Sequence, residues 1–349
     1  MANWTAADLV KYQAKITQQM QAGELRFRDP AVFNVFRRNT ELMLPSHNEI
    51  KNAAKRTTGE VNYVGRQSRS LGTGGEIYNH SGTKGESAVL VPSWTAYDDK
   101  FAYSLKQANS SLYSLDEEIM AEMTNLNLNF IEGLESAGAS FVHNNRSGVN
   151  VYNRQGTFNA TNDVFEITED VTNERGTGYR ALQIAKSAMD VNKWSGVMTA
   201  FCDTVMYDKM QYLAAQGSQN ANNTAFQYSD VEFVKSPELD ALAVALTYTD
   251  GYMVMAPQGT LSVLDWIPVQ NRQGVVTQQN IYGSLIHPTL GIALATHSYE
   301  QRADESTLGG ENQDVRTEVQ MFSYLSFNHA PLTTAEETPL QAFGFVAPV

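Results

Sequence analysis

Apolar residues recur at Leu9, Tyr12, Ile16 and Met20, steps of three and four that predict a short helix within residues 1–22. Asp29-Pro30 ends that pattern, because proline disfavours helical backbone at the residue before it. A second apolar cluster follows at Val32, Phe33, Val35 and Phe36. This opening segment is too short and too basic to build a core of its own, so it must lie against something else. Alternating apolar positions come next, Val61 and Tyr63 on one side and Ala88 and Leu90 on the other. Between and around them, residues 59–85 hold seven of the chain's 24 glycines, where an even spread would place about two. That pattern predicts a long β-hairpin with a loose tip around LGTGGEIYNHSGTKGE. Such a polar hairpin has no core of its own and is either a surface loop or ordered by another subunit.

Phe101, Tyr103 and Leu105 alternate as a half-buried strand, and the strongest helical pattern follows. Ser114 and Glu117 have capping-box spacing, and Asp116, Glu117 and Glu118 place negative charge in the first turn. Leu115, Ile119, Met123, Leu126, Phe130 and Leu134 form one apolar stripe, and Gly138 reads as a stop. A helix over 115–137 is about 35 Å long. Further on, the pattern predicts a strand near 149–152, a helix from Thr177, a strand at 197–201 and a helix through Met206 and Met210. A polar linker at 217–224 leads to a second lobe starting near Gln227. That lobe has a strand at 231–234, a helix through Leu239 and Leu242, a strand at 251–256 and a short helix ending at Trp266. Residues 270–280 read as an exposed loop, and the part from Leu285 onward as strand-rich with an acidic stretch at 303–314. Helices and strands mix without regular alternation, so the class is α+β.

Composition changes this picture in one respect. Charged residues make up 18% of the 349, below the roughly 25% usual in a soluble domain. Polarity comes from 26 Asn and 21 Gln, together more numerous than the 25 Lys and Arg. A surface poor in charge and rich in amides and tyrosine suits a chain that buries much of its outside against partners, since charges are costly to desolvate there. A monomer from an organism that favours Asn and Gln is the alternative. The net charge of −13 argues against tight binding of DNA or RNA by the whole molecule. Charge is uneven, +5 over residues 26–69 and −18 over the rest. The two parts can pair within a subunit or between subunits, or the basic part can be a solvated arm. Arg37 and Arg38 follow the apolar cluster that could dock the arm; with Arg66, Arg69, Tyr78 and Lys84 they are the candidate subunit-interface residues.

Catalytic signatures are missing. The six histidines never fall at HxH or HExxH spacing, and a single cysteine, Cys202, excludes both thiolate zinc sites and an internal disulfide. GTGG at 72–75 has neither a strand before it nor a helix after it, so it is not a phosphate loop. Asp98-Asp99 reads as a solvated turn and Cys202 as a buried, inert thiol. No apolar run approaches the roughly 18 residues of a membrane span, and the start lacks a signal-peptide pattern, so a soluble protein made in the cytoplasm is expected. No catalytic, cofactor or metal residue is assigned.

The order of a basic N-terminal segment, a glycine-tipped hairpin, a strand, one long helix and a two-lobed body resembles the Hong Kong 97-type major capsid protein of tailed bacteriophages. The stretch FAYSLKQANSSLYSLDEEIMAEMTNLNLNFIEGLESAGASFV at 101–142 is similar to that family's strand and spine helix, and GYMVMAPQGTLSVLDW at 251–266 to part of its axial lobe. The resemblance implies a phage coat-protein fold divided into an N-terminal arm (1–58), an extended hairpin (59–97), a peripheral-type domain with the spine helix (98–226), an axial-type domain (227–320) and return strands (321–349). It also implies a structural, non-enzymatic subunit that assembles with itself into hexamers and pentamers of an icosahedral virion shell. Such a shell encloses double-stranded DNA without reading its sequence. Each arm and hairpin would lie on a neighbour, a scaffold and a portal protein would be partners, no cofactor or membrane would be involved, and assembly would occur in the bacterial host cytoplasm. A tail tube or sheath subunit, and an α+β enzyme or binding protein, remain the alternatives.

Overall fold

The computed structural model describes residues 6–56, 61–63, 88–104, 114–147, 156–168, 177–192, 194, 196–217, 230–277, 280–302, 315–330 and 338–346. The chain opens with α1 (Ala6–Ala22), α2 (Ala31–Met43) and α3 (His47–Asn52). β1 (Val61–Tyr63) and β2 (Ala88–Leu90) then pair antiparallel, Val61 opposite Leu90, as the base of the expected hairpin. β3 (Thr95–Ser104), α4 (Leu115–Asn144), β4 (Thr157–Asn159), β5 (Val164–Thr168) and α5 (Thr177–Val191) follow. Next come β6 (Met198–Cys202), α6 (Thr204–Gly217), β7 (Val231–Lys235), α7 (Glu238–Ala245), β8 (Tyr252–Pro257) and β9 (Leu261–Trp266). The chain closes with α8 (Val269–Gln273), β10 (Asn280–Ile286), β11 (Ala293–Arg302), β12 (Val315–His329) and β13 (Gln341–Val346). The hairpin tip at 64–87, the strand expected at 149–152, most of the linker at 217–224 and the stretch at 303–314 lie outside the described residues.

The spine helix α4 starts as its sequence dictates. The Ser114 hydroxyl accepts from the Glu117 backbone N–H, and the Glu117 carboxylate accepts from the Ser114 N–H at 2.9 Å. Ile119, Met123, Leu126, Phe130 and Leu134 are all buried along one face. The helix does not stop at Gly138; it runs 30 residues, about 45 Å. The glycine serves packing instead: a Cβ at 138 would stand 3.2 Å from Val32 Cγ1 of α2. Its missing side chain lets the two helices approach.

Two sheets flank this helix. The five-stranded sheet is built on the 15-residue β12, antiparallel to β11 over 315–322, to β3 over 316–325 and to β9 over 324–329. Tyr324 and Leu325 are paired on both sides, so β9 takes over the edge where β11 ends. The six-stranded sheet has the order β4-β5-β13-β8-β6-β7, with parallel pairs β5–β13 and β6–β7. Its central strands are buried on both faces, and the period-2 alternation splits them between two cores. Tyr252, Val254 and Ala256 of β8 join the spine-helix core, while Met253 and Met255 join Leu182, Ala185, Met206 and Met210 under α5 and α6.

Several expectations are corrected by these pairings. A lobe boundary at 226/227 would cut the six-stranded sheet, because β6 and β7 pair in parallel across it, Met198 opposite Val231. The sheets divide the chain by pairing and not by order, and β9 to β11 of the expected second lobe belong to the five-stranded sheet. Leu261–Trp266 is a strand and not a helix: its short apolar run fits either period, and the open edge of β12 decides. The expected loop at 270–280 contains most of α8, which ends on Gly274 in the left-handed region at φ 65°. Asp98 and Asp99 lie within β3, accepting from Gln320 (2.9 Å) and Asn129 (2.7 Å).

Phe130 is 4% exposed, so Phe130→Ala is expected to cost about 3–5 kcal/mol in denaturant unfolding. Gly138→Val should push α2 off the spine and cost about 1–3 kcal/mol in the same measurement.

Candidate assembly surface

The N-terminal segment is held by the subunit itself. The first turn of α2 has backbone N–H groups without helical partners, and no side chain of its own caps them. Glu135 of α4 supplies the acceptors: Oε1 takes the Val32 N–H at 2.9 Å and Oε2 the Phe33 N–H at 3.0 Å. The carboxyl is 1% exposed, and burial raises its pKa while the two N–H groups pull it down. Below this clamp Val32, Phe33 and Phe36 are fully buried, and Phe36 meets Phe327 and Phe141 edge-on at 5.2 and 5.7 Å. At the other end of α2 the Thr40 hydroxyl accepts from the Val263 N–H of β9 at 3.0 Å. The described part of the arm therefore packs on its own chain, where its apolar face closes the spine-helix core.

Its charges are also met internally. Arg28 pairs with Glu238 at 2.7 Å, Lys51 with Asp265 at 2.7 Å, and Arg38 forks onto both oxygens of Glu232. Arg28 and Arg38 span a groove of about 580 Å³ between α2 and β7, with Asn34, Tyr207 and Lys235 on its walls. Exposed pairs of this kind are worth about 0.2–1 kcal/mol each, so they align the seam more than they hold it. Arg37 donates to the Leu290 carbonyl at 2.9 Å, beside Gly291 at φ 63°. Of the candidate interface residues, Arg37 and Arg38 thus meet partners in their own chain. Arg66, Arg69, Tyr78 and Lys84 lie outside the described residues.

Several titratable groups of the body are buried. Cys202 is fully buried, and burial pushes its thiol pKa up. His287 accepts from the Thr289 and Leu290 N–H groups through Nδ1 and contacts the Asn127 carbonyl through Nε2 at 3.0 Å. Only the neutral imidazole protonated on Nε2 satisfies all three, and burial lowers its pKa to about 4. His143, against the Tyr252 hydroxyl at 3.1 Å, is also lowered to about 4 by burial. Asp203 caps α6 through the Met206 N–H at 2.7 Å and takes the Tyr252 N–H at 3.0 Å. Burial, with neighbouring Asp240, raises its pKa to about 6 despite those bonds. Sequence reasoning missed Glu135 and Asp203: neither stands in a motif, and only the partner elements reveal them. Among the described residues no His, Cys, Asp and Glu cluster could hold a metal, and no helix is long and apolar enough to cross a membrane.

Three solved phage structures resemble this fold. The Cyanophage Pam1 capsid asymmetric unit matches with a TM-score of 0.54 at 12% identity, covering 92% of this chain and 93% of that one. A structure from Mycobacterium phage Che8 matches at TM-score 0.46 and 9% identity, over 86% and 88% of the two chains. The asymmetric unit of the bacteriophage PhiM1 mature capsid matches at 0.42 and 11%, over 83% and 81%. No protein-family model matches the chain, and no curated protein sequence matches it. The Pam1 likeness shows a shared α+β coat-protein fold.

Glu135→Gln leaves one of the two α2 N–H groups without an acceptor. It is expected to cost about 1–3 kcal/mol and to speed amide exchange at Val32 and Phe33. Acid acts on the buried groups in opposite senses. The lowered histidines contribute stability above the unfolded value near 6.5 that is lost as pH falls toward about 4, roughly 3 kcal/mol each. Asp203, raised to about 6, returns roughly 2–3 kcal/mol as pH falls from 7 to 4. Unfolding measured between pH 7 and 4 should therefore show a net loss for the native chain and a steeper one for Asp203→Asn.

Proposed function

We propose that this chain is the major structural subunit of a bacteriophage icosahedral capsid, assembling with copies of itself into hexamers and pentamers that close around double-stranded DNA. The observation that carries the reading is the fold shared with the Cyanophage Pam1 capsid asymmetric unit over more than nine-tenths of both chains. The composition supports it: few charges and many amides suit a surface that is largely covered in an assembly. The inward-bonded state of Cys202, His143, His287 and Asp203 supports a structural role over catalysis. In this reading the five-stranded sheet with the spine helix forms the peripheral-type lobe and the six-stranded sheet the axial-type lobe. Arg66, Arg69, Tyr78 and Lys84 are intersubunit contacts, a scaffold and a portal protein are the assembly partners, and assembly takes place in the host cytoplasm.

Electron microscopy of the purified chain tests the reading. Closed shells of uniform diameter are expected. Tubes would identify a tail component, and particles that stay dispersed under all conditions would reject assembly.

A further inference from the structure

The five-stranded sheet has a second face. Val319, Met321 and Leu325 of β12 are buried in the spine-helix core, so strand alternation turns Phe322 and Tyr324 to the other side, where both are half-buried. Trp266 of β9 pairs opposite Tyr324, and the two rings lie 5.7 Å apart. Phe322 meets Tyr324 edge-on at 6.0 Å. Two guanidiniums continue the run: Arg56 stands over Tyr324 with its Cζ 4.1 Å from the ring centre, and Arg272 of α8 over Trp266 at 5.5 Å. The Trp266 indole N–H donates to the Ala53 carbonyl at 2.9 Å and ties the segment carrying Arg56 to β9.

These two cations are not matched by acids. Arg28, Arg38 and Lys51 each hold a carboxylate of the chain, but neither Arg56 nor Arg272 forms an ion pair among the described residues. Nη2 of Arg272 is moreover buried without a hydrogen-bond partner. The acids of the neighbouring strands are in use: Asp265 holds Lys51 at 2.7 Å and accepts the Ala293 N–H at 3.4 Å, and Asp98, opposite Phe322, accepts from Gln320 at 2.9 Å. A guanidinium over a ring keeps its edge N–H groups free for a planar acid, and such a charge-assisted, bidentate pair is among the stronger polar contacts.

We propose that this run is a docking site for an extended acidic peptide segment of another protein, with one carboxylate on Arg56, a second on Arg272 and an apolar side chain between them against Tyr324 and Phe322. Contacts of 4.1, 5.7 and 5.5 Å lead from one guanidinium to the other. An extended chain places same-side residues about 7 Å apart, so acids two or four residues apart can meet both. A polynucleotide fits less well, because Asp98 and Asp265 and the net charge of −13 repel a phosphate at every step. The site needs only the folded subunit and stands apart from shell closure.

Titration calorimetry of the full chain at low salt tests the site, with a pentapeptide carrying glutamate at its first and fifth positions and leucine at its third. Saturable binding is expected, weakened about tenfold or more when the glutamates are replaced by glutamines or when the chain carries Arg56→Ala with Arg272→Ala. Arg56→Lys, which keeps the charge and loses the fork, should also weaken it. Arg28→Ala, whose guanidinium already holds Glu238, should bind as the native chain does. No saturable binding, equal affinity for the glutamine peptide, or an equal loss with Arg28→Ala overturns the proposal. Tighter binding of an oligothymidylate of the same charge overturns the carboxylate assignment and marks a phosphate site instead. If the double variant does not fold, the contrast between the two peptides on the native chain and the Arg56→Lys result decide.

Discussion

The carboxylate of Glu135 holds the first turn of α2 by two backbone N–H groups, and the rest of the body is arranged around that contact. Nothing in α2 caps its own start, so without Glu135 those donors would be buried without acceptors. The clamp works only because Gly138, one turn further along the spine helix, leaves room for Val32. Once α2 is seated, Phe36 reaches Phe141 of the spine, Phe327 of β12 and Phe201 of β6, so one side chain touches the helix and both sheets. A carboxylate, a missing side chain and an aromatic ring thus act as one joint.

The sheets distribute that joint over the molecule. β12 pairs with β11, β3 and β9 along its 15 residues, which makes it the rigid axis of its sheet. The exposed backbone edge that β9 would otherwise present is covered by α2, with the Thr40 hydroxyl meeting the Val263 N–H. In the other sheet, alternate residues of β8 face opposite cores, so a shift of one residue would exchange Tyr252 with Met253 and disrupt both. Register is therefore strongly specified in the six-stranded sheet.

Charge takes a secondary part in the fold. The basic segment and the acidic remainder do meet, and they do so within the chain through Arg28, Arg38 and Lys51. These contacts sit at the seam between α2 and the edge strand β7 and on the flank of β9, where water screens them.

The sequence alone determined the elements whose signal is local. The α4 start is written in Ser114 and Glu117, its face in the stripe from Ile119 to Leu134, and the helices from Ala6, Thr177 and Thr204 in apolar spacing. The α+β class and the resemblance to phage coat proteins followed from the order of those elements, and the Pam1 likeness agrees with them. Tertiary structure decided whatever depends on a partner distant in sequence. Leu261–Trp266 could be helix or strand until β12 offered an edge, and Gly138 could be a stop or a contact until α2 lay against it. The same holds for Glu135, an ordinary helical glutamate by its neighbours, and for the lobe boundary, which β6 and β7 erase by pairing across it. Short-range periodicity cannot encode these outcomes, because each is a free-energy difference set by groups that meet only after the chain has folded.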